Sequence, residues 1–221
     1  MDSQFYLDKL YPFQNQVLNV VKDTDTLFYL TGGTALSRGY LNHRFSDDLD
    51  FFVNDDDRFG LWTDRIINQL TLSSSPWNAQ VIQREDRFSR LSLVQNDIDL
   101  KIDFINDVPS RIGVVAQHPI LGLLDTAQNI LANKVTAVLD REAPKDLADI
   151  WALCYRMNLS LEDALNRAQG KAAGVFPVDL ARVLCSATRS DWELVRWIEA
   201  PDIEMYLNQI NILGNGLIFP K

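Results

Sequence analysis

The sequence predicts an α/β (α+β) fold in which a mixed sheet flanked by helices is followed by a helical C-terminal half. Three observations carry this. Apolar residues in the first half recur with periods of both two and 3.6, whereas those of the second half follow 3.6 almost throughout. Strand candidates alternate with helices before a hairpin, an order that implies a mixed sheet with helices packed on it. The 221 residues allow one compact domain or two small ones sharing a core.

The elements follow in order. Phe5, Leu10, Phe13, Val17, Leu18 and Val21 mark a helix over 4–21. Residues 27–30 form a short apolar run that ends at Gly32-Gly33, as a buried strand entering a turn does. A short helix over 34–41 leads to 48–53, where Leu49, Phe51 and Val53 alternate with Asp48, Asp50 and Phe52. Beyond the turn at 54–57, Phe59, Trp62, Ile66, Ile67 and Leu70 give one face of a helix over 59–72. Three strands follow at 79–83, 87–94 and 98–105, the last two joined through Asn96-Asp97. Helices are then expected at 121–140, 144–157, 160–169, 177–187, 190–199 and 202–212, with Pro119, Pro144, Pro177 and Pro201 at their borders.

Composition excludes several classes of protein. Hydrophobic residues at 47% and charged residues at 23% are ordinary globular usage, so the chain is not chiefly disordered. Lys and Arg number 21 against 30 Asp and Glu, a net charge of −9, which rules out a generic basic coat for nucleic acid. Any nucleic-acid contact must be local. Cys154 and Cys185 lack the spacing of zinc or redox motifs and are read as core thiols in a reducing compartment. The opening MDSQFYLDKL carries Asp2 and Asp8 without a basic and then an apolar region, and no stretch has the length of a membrane span. The expectation is a cytoplasmic protein with no membrane contact.

The chemistry concentrates in TGGTALSRGYLNHRFSDDLDFFV, residues 31–53. Gly32 and Gly33 lack a Cβ and let backbone approach a bulky anion, the helix that follows offers unpaired amides, and Thr34 adds a hydroxyl donor. Asp48 and Asp50, two apart on a strand, share one face with Cα atoms roughly 6.5–7 Å apart. Paired carboxylates beside a phosphate cradle suit Mg²⁺ bridging to a nucleoside triphosphate. A second ion at about 3.5–4 Å would call for a third carboxylate. In the strand that contains LKIDFI, Ile98, Leu100, Ile102 and Phe104 would face the core and Asp99, Lys101 and Asp103 the other side, which makes Asp103 the third metal candidate, ahead of Asp99.

In combination, GGTAL, HRFSDDLDFF, the carboxylate strand, and a helix bearing Lys134 and Arg141 before KDLADI at 145–150 resemble the AbiEii/AbiGii-type nucleotidyltransferase toxins. These belong to the DNA polymerase β-like nucleotidyltransferase superfamily. The resemblance covers about residues 27–150. It implies a mixed-sheet nucleotidyltransferase core, taken as residues 1–118, with a helical domain over 119–221 completing the site. It further implies Mg²⁺-dependent transfer of a nucleotide from an NTP to a hydroxyl, the 3′ end of tRNA in members studied as toxins, and a cognate antitoxin. Gly32 and Gly33 would lie at the phosphates, Asp48 and Asp50 at the metals, and Lys134, Lys145 and Asp146 in the downstream motifs. Arg44 and Arg141 are the further cations expected at the nucleotide.

Other readings of the same residues stand beside this one. The negative charge fits transfer to a small-molecule or protein hydroxyl more easily than to RNA, and a silent nucleotide-binding module would keep the same fold. Lys134 and Arg141 would also suit a helix surface, and Lys145-Asp146 an exposed helix start. His43 and His118 are read as structural. Arg84, Arg87, Arg90, Lys101 and Arg111 form a basic group that would track an RNA backbone or simply pair with Glu85 and Asp86. Trp192, Leu194, Val195, Trp197 and Ile198 are read as core of the helical half.

Overall fold

The computed structural model describes residues 3–72 and 74–218; Asp2 and the outermost residues of the two expected domains lie outside them. The chain divides into two compact units, one containing the N-terminal segment to Gly39 and Ser46–Asp125, the other Tyr40–Phe45 and the chain from Thr126 onward.

The first unit is built on a seven-stranded mixed sheet in the order β3-β4-β5-β2-β1-β7-β6. Its strands are β1 (Tyr29–Thr31), β2 (Leu49–Asn54), β3 (Asn78–Arg84), β4 (Phe88–Gln95), β5 (Ile98–Asp107), β6 (Ala116–His118) and β7 (Gly122–Leu124). The pairs β2·β5 and β1·β7 are parallel and the remaining pairs antiparallel. Asn96 and Asp97 both adopt positive φ, 49° and 63°, so β4 and β5 join through the two-residue turn whose twist matches a hairpin.

One face of the sheet carries the core of this unit. Phe51 and Phe104 stack at 5.4 Å, and Phe28 meets Phe104 edge-on at 5.0 Å. Helix α2 (Tyr11–Asp23) contributes Phe13, Val17, Leu18 and Val21, and α4 (Phe59–Leu70) contributes Trp62, Ile66 and Leu70 to the buried set. Each such side chain gains roughly 1.5–3 kcal/mol from burial, which fixes the register of β2, because a one-residue slip would send Phe51 to water and Asp50 inward. The helical turn α1 (Ser3–Phe5) and a π-helical turn, Tyr6–Leu10, precede α2.

The second unit is helical: α5 (Ala127–Arg141), α6 (Pro144–Arg156), α7 (Leu161–Ala168), α8 (Pro177–Cys185), α9 (Arg189–Leu194) and α10 (Ile203–Ile218). Its helix starts are locally specified. Thr126 and Ser160 accept from the backbone three residues on, Thr188 and Asp191 form a capping box, and Pro144 and Pro177 open α6 and α8. Helices α8 and α10 cross closely at Gly214, where an added Cβ would come within 2.7 Å of Cys185 Sγ and 3.1 Å of the Ala181 carbonyl.

Several expectations are corrected. The helix expected from 121 begins at Ala127, because Gly122–Leu124 is instead β7, with Gly122 at φ +76° and Leu124 paired with Leu30. Residues 119–125 accordingly go with the sheet unit. The helix expected over 190–199 ends at Leu194, since the next residues pair with the returning segment: Phe45 N–H donates to Arg196 O and Ile198 N–H to His43 O. Leu194, expected in the core, is 70% exposed, while Trp197 packs edge-on against Trp151 and Tyr206. Cys154 is buried and its thiol pushed up to about 12 by desolvation, but Cys185 is exposed and is not a core thiol.

Candidate active site

The second face of the sheet in the first unit is polar at its centre. Strand register places Thr31 beside Asp50, Asp50 beside Asp103, and Asp103 beside Arg90, so these four side chains form one row across β1, β2, β5 and β4. Asp125, just past β7, extends the row: its backbone N–H donates to Leu30 O at 3.0 Å, and its Oδ2 accepts from the Thr31 hydroxyl at 2.6 Å. Asp48 lies two residues before Asp50 on the same face and pairs with Lys101 Nζ at 2.9 Å. The alternation of Leu49, Phe51 and Val53 into the core is what forces both aspartates outward.

The lead-in to β2 is held by polar contacts within the unit. Gln14, fully buried on α2, donates through Nε2 to the carbonyls of Ser46 and Asp47, and Arg38 donates to Gln14 Oε1 at 2.8 Å. The Tyr6 hydroxyl donates to Asp47 Oδ1 at 2.8 Å. Thr34, in the five-residue helix α3 (Gly32–Leu36), donates its hydroxyl to the Asp48 carbonyl, so this hydroxyl fixes the strand end rather than standing open. Gly32 has φ +68°, and a Cβ there would sit 2.5 Å from Asp50 Oδ2. The glycine thus makes the space in which the Asp50 carboxylate rests.

The cations missed as individual site residues are those that hold the carboxylates. Arg90 grips Asp103 through two bonds of 2.8 Å, from Nε to Oδ1 and from Nη2 to Oδ2, and its pKa is raised chiefly by that hydrogen bonding. Lys101 is raised despite partial burial, by its bond to Asp48 and by the charges of Asp48, Asp103 and Asp50. The basic group expected near the hairpin therefore pairs, though not with Glu85 and Asp86. Arg84 meets Asp64 at 2.7 Å and Arg87 meets Asp55 at 2.8 Å, while Arg111 lies 5.4 Å from the Tyr29 ring centroid. The sequence signal available was position: Lys101 shares the strand face of Asp103.

Among the described residues no three His, Cys, Asp or Glu side chains gather closely enough to hold a metal ion together. The chemistry of the donors nevertheless suits Mg²⁺: Asp48 and Asp50 offer hard oxygen ligands on one face, with the Asp50 carboxylate seated against Gly32. Asp103 is committed to Arg90.

The remaining candidates come together in the second unit. Arg44, 4% exposed, donates from Nε and Nη2 to both oxygens of Asp149, each at 2.7 Å, and from Nη1 to the Phe45 carbonyl at 2.9 Å. Lys134, 5% exposed, meets Asp146 and Asp149 at 2.7 Å each. Arg141, on the same face of α5 and half-exposed, grips Asp146 at 2.7 and 2.9 Å. Lys145 is exposed at the start of α6. His43 is fully buried, with Nε2 2.8 Å from Asp149 Oδ1. Burial opposes ionisation of Asp149, but the charges of Arg44 and Lys134 and the bonds from His43 and Arg44 hold it well below the usual carboxylate range. Asp149 was absent from the sequence-level candidates, although it stands three residues after Asp146 in KDLADI, one helical turn on. His118, read as structural, accepts the backbone N–H groups of Ile120 and Leu121 at Nδ1.

Comparison with known proteins adds family and fold. A family model described as nucleotidyl transferase AbiEii toxin, type IV TA system, matches residues 18–193. The uncharacterised protein aq_aa25 of Aquifex aeolicus is 27% identical over 147 residues, in a match that covers 62% of this chain and 62% of that relative's length. A protein of H. pylori solved as a candidate nucleotidyltransferase has a TM-score of 0.63 at 22% identity, with 96% of this chain and 95% of that chain covered. MenT4, the nucleotidyltransferase toxin Rv2826c of Mycobacterium tuberculosis H37Rv, has a TM-score of 0.60 at 15% identity, covering 96% of this chain and 84% of that one. At these identities the two structures share its fold.

Proposed function

The chain belongs to the AbiEii nucleotidyl transferase toxin family of type IV toxin–antitoxin systems, and from that premise we propose that it transfers a nucleoside monophosphate from an NTP to an acceptor hydroxyl, the 3′ end of tRNA. It does so as the toxin of a pair with a cognate antitoxin. The observation that carries the reading is Asp50 in register between Thr31 and Asp103, with Asp48 just before β2 paired to Lys101 and Gly32 packed against the Asp50 carboxylate.

Asp48 and Asp50 are the residues that would hold Mg²⁺, and the ion would polarise the α-phosphate toward attack. Attack by the acceptor hydroxyl at the α-phosphorus would break the α–β phosphoanhydride bond and release pyrophosphate; Asp103 would accept the hydroxyl proton, or complete the ligand set, with Arg90 turned from it to the acceptor's phosphates, and Lys101, beside Asp48, would offset charge on the leaving pyrophosphate. Gly32-Gly33 lets the chain approach the triphosphate. The family resemblance extends nucleotide contact to Lys145 and Arg141, the two exposed cations of the downstream motifs, while Lys134, Asp146 and Arg44 position α5 and α6 through their buried ion pairs. Among the described residues no helix is long and apolar enough to cross a membrane.

The test gives purified protein, Mg²⁺ and each α-labelled NTP in turn to total tRNA, beside the variants Asp48→Ala and Asp50→Ala. Label on tRNA that disappears in both variants, with circular dichroism unchanged, is the expected outcome. Transfer at native rate by Asp50→Ala would sink the site assignment. Label appearing on protein or on a small molecule, but not on tRNA, would move the acceptor to the alternative that the net charge of −9 favours.

A further inference from the structure

Two residues beyond Asp50, on the same sheet face, the polar row gives way to an apolar one. Phe88, Ile105, Phe52 and Tyr29 are register partners across β4, β5, β2 and β1. Tyr29 is buried, with its ring centroid 6.4 Å from that of Phe52, whereas Phe52, Ile105 and Phe88 are only partly covered. The core of this unit lies on the other face, with Leu49, Phe51 and Val53, so packing of that core does not account for two partly uncovered aromatic rings beside three carboxylates. Cations flank both ends of the shelf. The Arg90 guanidinium lies 5.2 Å from the Phe88 ring centroid and that of Arg111 5.4 Å from the Tyr29 ring.

The position of the shelf selects its occupant. Thr31 pairs with Asp50 in antiparallel register, so the chain leaving β1 at Gly32 turns toward the Asp48 end of β2, while Phe52 lies on the opposite side of Asp50, roughly 6.5–7 Å along the strand. On the reading above, the β- and γ-phosphates lie at the glycine turn. In-line displacement then brings the attacking oxygen from the side away from that turn, which is the side of Asp103 and Phe52. An aromatic surface with guanidinium groups at its edges suits a nucleobase stacked on the rings with its phosphates at the arginines.

We infer that the partly exposed Phe52–Ile105–Phe88 shelf seats the terminal nucleobase of a nucleic-acid acceptor, with Arg90 and Arg111 at its backbone. This rests on the proposed transfer reaction and adds the residues that receive the acceptor. Stacking on one aromatic ring changes affinity by roughly tenfold or more, in any sequence context, because every base has a π-face. The acceptor end is therefore gripped without strong base preference by the sheet unit.

The experiment uses the full chain and a short RNA oligonucleotide with 2-aminopurine at its 3′ end, without NTP or Mg²⁺. Quenching on binding is expected for the native protein and for Phe52→Tyr, and its loss for Phe52→Ala and Phe88→Ala. In steady-state transfer to total tRNA, the alanine variants are expected to raise the acceptor KM roughly tenfold and leave the NTP KM unchanged. A raised NTP KM with an unchanged acceptor KM would put the incoming base on the shelf and overturn the inference, as would native quenching and native KM values in folded variants. Phe88→Ala carries the test if Phe52→Ala fails to fold. Failure of the proposed reaction is separate, because it would appear as no label on tRNA with the native protein, and failure of the site assignment as transfer persisting in Asp50→Ala.

Discussion

At Gly32 the backbone conformation and the available space make the same demand. Its φ of +68° costs a residue with a Cβ roughly 1–2 kcal/mol, and the Cβ would in addition sit 2.5 Å from Asp50 Oδ2. Gly32→Ala is expected to lower stability by about that amount and to abolish transfer, because the carboxylate must move; urea unfolding and the labelling assay measure the two effects separately. Lys134 makes the opposite kind of demand. Its ammonium is buried between Asp146 and Asp149 and its pKa is raised, since the two carboxylates outweigh the cost of burial. Lys134→Met leaves two buried carboxylates short of a cation and is expected to destabilise by about 3–5 kcal/mol, read as a lower urea midpoint. Lys145→Ala, at an exposed position, is expected to leave the midpoint unchanged and raise the NTP KM. The outward direction of the paired aspartates was legible in the sequence, because alternation with Leu49, Phe51 and Val53 leaves a carboxylate on that strand one direction to point. Sequence missed Asp149, Arg90 and Lys101 as partners, because ion pairing is set by which strands and helices become neighbours, and local periodicity does not carry that information.

At the scale of elements, what could be read depended on length and punctuation. Helices α2, α5, α6 and α8 have long amphipathic runs or a Pro or Thr start signal, and their cores fall where the 3.6 period puts them. The three-residue strands β6 and β7 offer no period to detect, and GLL reads equally as a helix start; only pairing with β1 and β6 makes it a strand. The stop of α9 at Leu194 is likewise a tertiary event, caused by backbone pairing of 196–198 with 43–45. The β4–β5 turn is the reverse case. Asn96 and Asp97 both sit at positive φ, the conformation that the Asn-Asp pair tolerates and Asn-Gly prefers. Asp97→Gly is expected to stabilise the hairpin by up to about 1 kcal/mol, observed as a higher midpoint with transfer unaffected, because the left-handed residue loses its Cβ strain.

For the whole molecule, the buried ion network makes stability a function of pH with a definite sign. Burial, and secondarily the charges of Arg44 and Arg156, lower the pKa of His43 below its ordinary 6.5, although the Asp149 carboxylate pulls the other way. The unfolded chain therefore binds the proton first, and stability falls as pH drops through about 6.5. Asp149 and Asp146 are held below 3.8 by Lys134 with Arg44 or Arg141, against the opposing effect of burial, so their contribution is present above 3.8 and is lost as pH falls toward the folded values. Lys134 is raised above 10.5, so its contribution is complete below 10.5 and is lost as pH climbs through the folded value. The expected curve is a plateau on the alkaline side of neutrality with a first decline that begins near pH 6.5 and a steeper one in the carboxylate range. Urea midpoints followed by circular dichroism from pH 9 down through the carboxylate range, to about pH 2, give that curve. His43→Gln keeps a donor for Asp149 and removes the titrating ring, so it is expected to erase the first decline and keep the second. A decline near pH 6.5 that survives in His43→Gln would show that another group is responsible.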